Sequence, residues 1–295
     1  MRLLPRFIFL LSLIVITPNC STNGVSHLDS NRTVNQVERQ GQQIDDCAVI
    51  QSECVVLLHG LARTKKSMRS MAKHLKGCGY HVENIGYPSR KKSIALLARE
   101  AVNEGVERCD ANDIEKIHFV GHSLGSILVR DYLESNSIDR LGRVVMIAPP
   151  NQGSEIVDKL HKVPGFKLIN GLAGYQLGTK KDNSVPKQLG PANFDVGVIA
   201  GNRTINFILS QFLPNPDDGK VSVASTCLKG MSDHIVLPYS HTFIIQRNKT
   251  LDQLTYFLKY GKFYRENSRN TNNSVSGFRH DLICDKSFYK YPLKF

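Results

Sequence analysis

Residues 116–135 read KIHFVGHSLGSILVRDYLES, and this stretch decides how the rest of the chain is interpreted. Its first five residues form an apolar run typical of a buried strand, and residues 124–135 have helical spacing. Between them, GHSLG fits the pattern G-x-S-x-G, in which a serine occupies a strained turn from a strand into a helix. Gly121 and Gly125 would allow close backbone approach there. Ser123 is therefore a candidate nucleophile, although a serine between two glycines can also be an ordinary turn.

Short apolar runs alternate with helical patterns on both sides of this stretch. Further strand-like runs occur at 54–58, 81–87, 144–148 and 196–201. Helices are predicted over 65–77, 93–108 and 124–135, with Ser93 as the cap of the second. Near-continuous apolar strands separated by helices predict an α/β fold with a mostly parallel central sheet and helices on both faces.

The two ends of the chain have different patterns. Residues 1–20 combine a basic head with the apolar run FIFLLSLIVI, which is the layout of an export signal. This run is shorter than the roughly 20 residues that cross a bilayer, which favours cleavage over a retained anchor. Residues 21–45 are polar and predict a tether, 46–265 the folded domain, and 266–295 a polar linker with a short extension. We expect an exported protein that is periplasmic, membrane-associated or secreted.

The cysteines extend this expectation. Cys20 stands where a lipoprotein would carry its lipidated cysteine, although the three residues before it match the usual approach poorly. The other six are an even number in a chain expected to reach an oxidising compartment, so one or two disulfides are predicted without a defined pairing. Cys54 opens a strand and could instead be a small hydrophobic residue. No CxxC pair occurs, and no metal site is predicted.

Composition limits the class of partner. The formal charge of +12 favours anionic partners, including a membrane surface, or is a bias without a partner. The basic segment KSMRSMAKHLKGC has apolar residues at helical spacing, so it predicts an amphipathic helix and no nucleic-acid module. GHSLGS lacks the G-x-G-x-x-G arrangement of dinucleotide-binding proteins, and no cofactor is predicted. Oligomeric state has no signature in the sequence.

A nucleophilic serine needs oxyanion donors, a base and an acid. The backbone amides of Leu124, after the elbow, and Leu61, after the strand end at His59-Gly60, are the expected donors. His59 precedes the serine at a strand end, where an imidazole more often holds loop geometry. His122 is within the elbow and is expected to be structural or pocket-lining.

The acid and the base are expected downstream of the serine, in that order. PNPDDGKVSV presents Asp218 before Gly219 and a predicted short strand, with Asp217 as the competing acid or as a turn cap. His241 follows the apolar run IVLPY at the carboxyl end of a strand, where α/β sites assemble. His234 lies at the start of that run and is the less favoured base.

These segments together resemble the small bacterial lipase-like esterases of the α/β-hydrolase superfamily. The resemblance runs from Cys54 to Phe263 through LLHGLARTKKSM, NIGYPSR, IHFVGHSLGS, IAPPNQGSEIVD, GVIAGN, DDGKVSV and SHTFII. It implies Ser123, Asp218 and His241 as nucleophile, acid and base, with the amides of Leu61 and Leu124 as the oxyanion hole. Two positions depart from the pattern, since Asn151 replaces a frequent histidine and Ser126 a frequent glycine.

We therefore expect a serine hydrolase that cleaves carboxylic esters of lipid or other acyl substrates through an acyl-enzyme. An acyltransferase or thioesterase could use the same three residues, and a non-catalytic envelope binding protein is the alternative from another class. Residues 149–193 form an apolar, glycine-containing insertion, predicted to be a lid or acyl-binding wall or else a loop that covers the sheet edge.

Overall fold

The computed structural model describes residues 52–265, except 113, 181, 183 and 206, together with Cys284. The expected signal, Cys20, the tether and the C-terminal extension apart from Cys284 lie outside the described residues. Within the described part of the chain, no helix has the length and apolar character needed to cross a membrane.

In the described part of the chain, a parallel sheet of six strands forms the centre of the fold. The strands are β1 (Glu53–Leu58), β2 (His81–Ile85), β3 (Lys116–His122), β4 (Leu141–Ile147), β5 (Val196–Gly201) and β6 (Asp233–Leu237). Their order across the sheet is β2-β1-β3-β4-β5-β6, and every pair is parallel. Parallel strands need crossover connections, and the helices predicted between the apolar runs supply them. The mostly parallel α/β sheet predicted from the sequence is confirmed.

Helices follow most strands. They are α1 (Arg69–Gly77), α2 (Ile94–Asp110), α3 (Leu124–Ser135), α4 (Glu155–Leu160), α5 (Phe166–Tyr175), α6 (Val185–Gln188), α7 (Phe207–Ser210), α8 (Val223–Thr226) and α9 (Asn248–Tyr260). The predicted helix 65–77 starts with a 3₁₀ turn, Lys65–Met68. The prediction over 124–135 coincides with α3, and the Ser93 hydroxyl accepts the amide of Leu96 at 3.4 Å as the cap of α2.

Alternate residues of β1 point to two separate cores, one on each face of the sheet. Val56 and Leu58 pack in the core that includes the buried side chains of α2 and α3. Val55 and Leu57 pack in the other core, with α1 and α9. Full burial of one such side chain contributes about 1.5–3 kcal/mol. Gly105 brings α2 close to β1, because a Cβ there would stand 2.4 Å from Val56 Cγ1.

The strand predicted after Asp218 is wrong. Only an isolated bridge between Asp217 and Ser222 forms in KVSV, and α8 starts directly afterwards. The Ser222 hydroxyl accepts the amide of Ser225 at 3.1 Å, so this serine caps a helix. Alternation over four residues could not distinguish a strand from a turn that ends in a helix cap.

Two disulfides tie distant parts of the chain. Cys54 of β1 is bonded to Cys109 near the end of α2, and Cys227 after α8 is bonded to Cys284. The prediction of one or two disulfides is confirmed. The reading of Cys54 as a small hydrophobic residue is wrong, because its sulfur forms a covalent bond within the core.

The insertion predicted at 149–193 contains α4, α5 and α6. The two ends of its central part lie next to each other, since the amide of Ser154 donates to the carbonyl of Leu177 at 2.8 Å. Beside this contact, the carboxylate of Asp158 accepts the amide of Thr179 at 3.0 Å and also its hydroxyl. Residues 154–177 therefore form a closed excursion from the sheet, which we call the closed loop.

Candidate active site

The turn between β3 and α3 holds Ser123 in a strained conformation. Its backbone has φ 54° and ψ −118°, a region that residues other than glycine rarely adopt. The turn is tight because a Cβ at Gly121 would lie 2.3 Å from the amide nitrogen of Ser126. A Cβ at Gly125 would lie 2.2 Å from the carbonyl oxygen of Leu58. Both glycines are therefore required for the close approach predicted from the sequence.

Ser123, His241 and Asp218 form one chain of hydrogen bonds. The distance from Ser123 Oγ to His241 Nε2 is 3.0 Å, and that from His241 Nδ1 to Asp218 Oδ2 is 2.8 Å. A carboxylate only accepts, so Nδ1 carries a proton, and in that tautomer Nε2 accepts from the serine hydroxyl. All three side chains are buried or nearly so, and only Ser123 reaches 9% exposure. The structure thus brings together the three residues that the sequence singled out.

The loop that carries Asp218 fixes the direction of its carboxylate. Oδ1 accepts the amides of Lys220 at 3.0 Å and Val221 at 2.8 Å, which leaves Oδ2 for His241. The amide of His241 also donates to the carbonyl of Asp218 at 3.0 Å. Asp217 instead accepts the amide of Gly219 at 2.7 Å and the hydroxyl of Ser210 at 2.6 Å. Asp217 is therefore the turn cap, the alternative role left open for it.

Two other histidines have structural contacts. His234 lies within β6, where its Nε2 is 2.9 Å from the hydroxyl of Thr226. His59 stacks on the ring of Tyr87 at 4.0 Å and bonds to the carbonyl of Gly60 at 2.9 Å. Burial lowers the pKa of His59, which favours a neutral ring. His59 holds the loop after β1, as an imidazole at that strand end was expected to do.

The amides of Leu61 and Leu124 are the oxyanion donors predicted from the sequence. Leu124 is the first residue of α3, where an amide has no partner inside its own helix. Leu61 lines the same cavity as Ser123, and within the described residues neither amide donates to a protein acceptor. The next amide along, that of Ala62, donates to the hydroxyl of Ser89 at 3.0 Å, which secures the loop.

His122 contacts the backbone of His241, the candidate base. Its Nε2 lies 3.0 Å from the carbonyl oxygen of His241, and its ring lines the cavity. Burial lowers the pKa of His122 well below its ordinary value, and repulsion by a protonated His241 would lower it further. The ring is therefore neutral and donates from Nε2, which holds the backbone of the His241 loop. This agrees with the structural or pocket-lining role expected for it.

The two departures from the family pattern are both accommodated by hydrogen bonds. Ser126 is fully buried, and its hydroxyl donates to the carbonyl of Gly121 at 2.7 Å. Asn151 is also fully buried, and its amide group donates to the carbonyl of Thr226 at 2.9 Å. Asn151 therefore joins the segment after β4 to α8, away from the hydrogen-bond chain of Ser123.

Arg130 is a supporting residue that sequence reasoning missed. Its guanidinium donates to the carbonyls of Asn151, Leu189 and Gly190 at 2.9 to 3.0 Å. Burial lowers the pKa of Arg130 to about 10, which still leaves it charged near neutral pH. The available signal was an arginine within the apolar helix stretch ILVRDYL. It secures both ends of the insertion against α3.

A cavity of about 440 Å³ opens beside Ser123 and His241. One wall is apolar and comes from the closed loop, including Ile156, Leu160 and Phe166. Leu168 and Ile169 of the same loop are 87% and 62% exposed, and Ile169 also lines the cavity. The segment 205–212 also borders the cavity through Leu209, and it has exposed Ile and Phe side chains.

One group of described residues combines ligand types found at metal sites. Cys227, His234 and Cys284 have their ligand atoms within 4.8 Å of one another. The two sulfurs, however, are bonded to each other, whereas zinc binds thiolates. This arrangement therefore does not offer a metal site.

Comparisons with known proteins agree with the architecture. Residues 54–194 match the family model of palmitoyl protein thioesterase. Among solved structures, the mature lipase BlEst2 of Bacillus licheniformis is 22% identical with a TM-score of 0.54, over 70% of this chain and 92% of that one. Lipase B of Aspergillus fumigatus is 13% identical with a TM-score of 0.54, over 72% and 54% of the two chains.

A phospholipase, PlaB of Legionella pneumophila, has a TM-score of 0.50 at 17% identity, over 70% of this chain and 57% of its own. No curated protein sequence matches the chain significantly. At these identities the structural likenesses show the fold, which is that of lipases and esterases of the α/β-hydrolase type.

Proposed function

We propose that this chain, which has the α/β-hydrolase fold, is a serine hydrolase that cleaves carboxylic esters of lipid or other acyl substrates. The observation that carries this proposal is the continuous hydrogen-bond chain from Ser123 through His241 to Asp218, at the edge of a largely apolar cavity. A strained serine, an oriented imidazole and two backbone donors are the parts that acyl transfer requires.

The proposed mechanism follows from the atoms that face one another. His241 Nε2 takes the proton of Ser123 as its Oγ attacks the ester carbonyl carbon. The amides of Leu61 and Leu124 donate to the resulting oxyanion. The tetrahedral intermediate collapses, and His241 gives the proton to the departing alcohol oxygen. A water molecule then attacks the acyl-enzyme by the same route, which releases the acid and restores Ser123.

The closed loop favours the proposal that the substrate carries an acyl chain. Its apolar side chains face the cavity, whose volume lies within the roughly 300–1,000 Å³ range of ligand sites. We propose that the loop is a lid or acyl-binding wall. The exposed apolar side chains of this loop and of segment 205–212 flank the cavity, and the chain carries a formal charge of +12. These features support contact with an anionic membrane surface.

We further propose that the protein is exported, because residues 1–20 have the layout of a signal. Anchoring through Cys20 is the lipoprotein form of this proposal. Mass analysis of the protein purified from the envelope tests both forms. A free amino terminus near residue 21 supports cleavage, a lipidated Cys20 supports anchoring, and an intact chain recovered only inside the cell contradicts export.

A fluorophosphonate probe tests the chemistry directly. The folded wild-type protein is expected to be labelled, and Ser123→Ala is expected not to be. A chain-length series of p-nitrophenyl esters beside phospholipid and triacylglycerol, with Ser123→Ala as the blank, then defines the acyl preference. Absence of labelling in folded wild-type protein, or equal labelling of the variant, would contradict the proposal and favour a non-catalytic binding protein.

A second candidate is thioester hydrolysis, which the match to the palmitoyl protein thioesterase model over residues 54–194 favours. With the same three residues, Ser123 can attack a thioester, and the leaving atom is then sulfur instead of oxygen. The measurement is the ratio of kcat/KM for a thioester and an oxoester with the same acyl chain. Adding competing alcohol or amine acceptors and analysing the products separates acyl transfer from hydrolysis.

A further inference from the structure

Two positively charged side chains share the cavity with the candidate nucleophile. Arg63 and Lys220 both line it, and no Asp or Glu is among its lining residues. Most of the other lining side chains are apolar. A substrate that fills this cavity therefore meets an apolar wall and two positive charges, with no carboxylate to neutralise them.

Neither cation has an ion-pair partner in the part of the chain that the structure describes. Asp218 is two residues from Lys220, but its oxygens already accept two amides and the His241 ring. Lys220 is an exposed residue at the rim of the cavity. Desolvation by the surrounding protein lowers the pKa of Lys220, and the charge of Arg63 lowers it further, whereas Asp218 partly offsets both effects. Like charges that share a site in this way attract an anion.

The position of the cations indicates which part of a substrate they face. Arg63 Nη2 lies 3.4 Å from the hydroxyl of Thr242, the residue after the candidate base. Lys220 donates its own amide to Asp218, the partner of that base. Because His241 delivers its proton to the leaving atom, the leaving group lies on the His241 side of the ester bond. Both cations therefore enter the cavity from segments next to His241 and Asp218, on the side where the proposed leaving group would lie, whereas the closed loop forms the apolar wall.

We propose that Arg63 and Lys220 form a subsite for a phosphate group carried by the leaving alcohol, a few bonds from the ester oxygen. The inference rests on the proposed ester hydrolysis. A guanidinium binds phosphate oxygens in a planar, two-point manner, and an ammonium adds a point charge. The substrate class is an acyl ester of a short alcohol phosphate, of which glycerol phosphate is the simplest example.

The test compares two esters with the same acyl chain, 1-octanoylglycerol 3-phosphate and 1-octanoylglycerol, both below their aggregation concentrations. Wild-type protein is expected to prefer the phosphate ester by about tenfold or more in kcat/KM, which is the ratio that about 1.4 kcal/mol provides. Arg63→Gln and Lys220→Gln are each expected to lower that preference by about tenfold, mainly through KM.

Matched controls are Arg69→Gln and Lys73→Gln, which remove exposed charges on α1 that do not line the cavity. They should keep the wild-type preference. Equal kcat/KM for the two esters in wild-type protein overturns the subsite while hydrolysis of the neutral ester keeps the proposed function. An equal loss of preference in all four variants also overturns it, because the effect would then belong to the net surface charge.

Two further measurements guard against misfolding and surface effects. Glycerol 3-phosphate should inhibit wild-type hydrolysis of 1-octanoylglycerol competitively, and about tenfold less well in folded Lys220→Gln. The same two esters are also presented in neutral phosphatidylcholine vesicles. A preference for the phosphate ester in vesicles but not as monomers would assign the effect to attraction at a lipid surface and overturn the subsite. Absence of hydrolysis of every ester would refute the proposed function and this inference together.

Discussion

Each end of the sheet carries a histidine paired with a carboxylate, and the two pairs have similar distances and similar burial of the imidazole. At the carboxyl end of the strands, His241 Nδ1 lies 2.8 Å from Asp218. At the amino end, His118 of β3 lies 3.0 Å from Glu53 of β1 through Nε2. Both imidazoles are buried, so neither burial nor a carboxylate partner distinguishes a candidate base from a structural histidine.

The two pairs differ in the partner of the second ring nitrogen. His118 Nδ1 accepts the backbone amide of Arg143 at 2.7 Å, so protein groups occupy both of its ring nitrogens. His241 instead directs Nε2 to the hydroxyl of Ser123 beside the cavity. The hydrogen-bond partners therefore favour tautomers of the two rings that carry the proton on opposite nitrogens. The difference between the pairs is that His241, unlike His118, directs its second ring nitrogen to a strained serine hydroxyl beside a cavity.

The largest expected effect comes from removing the hydroxyl that only the carboxyl-end pair has. Ser123→Ala should lower kcat by about a million-fold, because loss of the nucleophile removes the acyl-enzyme route. The thermal midpoint should not fall. The matched control is Ser126→Ala in the same elbow, whose hydroxyl donates to the carbonyl of Gly121. Both kcat values are measured with p-nitrophenyl esters. Similar values for the two variants would contradict the role of the Ser123 hydroxyl, and the carboxyl-end pair would then have no advantage over the amino-end pair.

The next effect separates the two adjacent acids of the carboxyl-end loop. Asp218→Asn should lower kcat by about 10⁴-fold, because an amide can favour the wrong tautomer of His241. Asp217→Asn should leave kcat within a few-fold and instead lower stability by about 1 kcal/mol, since it weakens a turn cap. Steady-state kinetics and urea unfolding of both variants make this test. A larger kcat loss in Asp217→Asn would reassign the acid.

A smaller effect concerns the proposed oxyanion donors. Leu61→Ala should change kcat by only a few-fold, because the proposed donor is the backbone amide and not the side chain. Losing a donor itself typically costs about 100 to 1,000-fold. If kcat for a short ester falls by that larger factor while the protein stays folded, the backbone of this loop depends on the leucine side chain.

The smallest effect on turnover is expected from the amino-end pair. The hydrogen bond from His118 lowers the pKa of the Glu53 carboxyl below its ordinary 4.5. A lowered folded pKa stabilises the protein above the unfolded pKa, and this contribution is lost as pH falls through the folded pKa. Glu53→Gln should leave kcat unchanged at pH 7 and cost well under 1 kcal/mol, because Glu53 is partly exposed.

Urea unfolding of wild-type and Glu53→Gln protein at pH 7 and below pH 4 measures this contribution. The stability difference should shrink on the acid side. A difference that stays constant between the two pH values would show that the ionised carboxylate does not provide it, and a fall in kcat would give the amino end an unexpected part in turnover.

The sequence predicted the elbow well because its requirements are local. Two glycines, a strand and a helix lie within 20 consecutive residues, and the close approaches at Gly121 and Gly125 follow from them. The acid was less certain, because Asp217 and Asp218 differ only in the direction of their side chains. Which of the two faces His241 depends on the turn that the amides of Lys220 and Val221 form around Asp218.

Other features could not be predicted because they depend on residues far apart in the sequence. Cys54 and Cys109 are 55 residues apart, and no local pattern indicates their pairing. Arg63 and Lys220 reach one cavity from loops after β1 and before α8, so their joint position appears only in the folded chain. His118 and Glu53 meet because β1 and β3 are neighbours in the sheet, and neither has a motif around it.

The hydrogen bond between Ser154 and Leu177 gives the closed loop two ends that almost meet. A segment of this kind can be exchanged between related proteins, lengthened or shortened while both anchor points keep their positions. The strands and the elbow do not have to adjust to such an exchange. The proposed acyl-binding wall can therefore change by exchange of this one segment, while the elbow and the strands keep their positions.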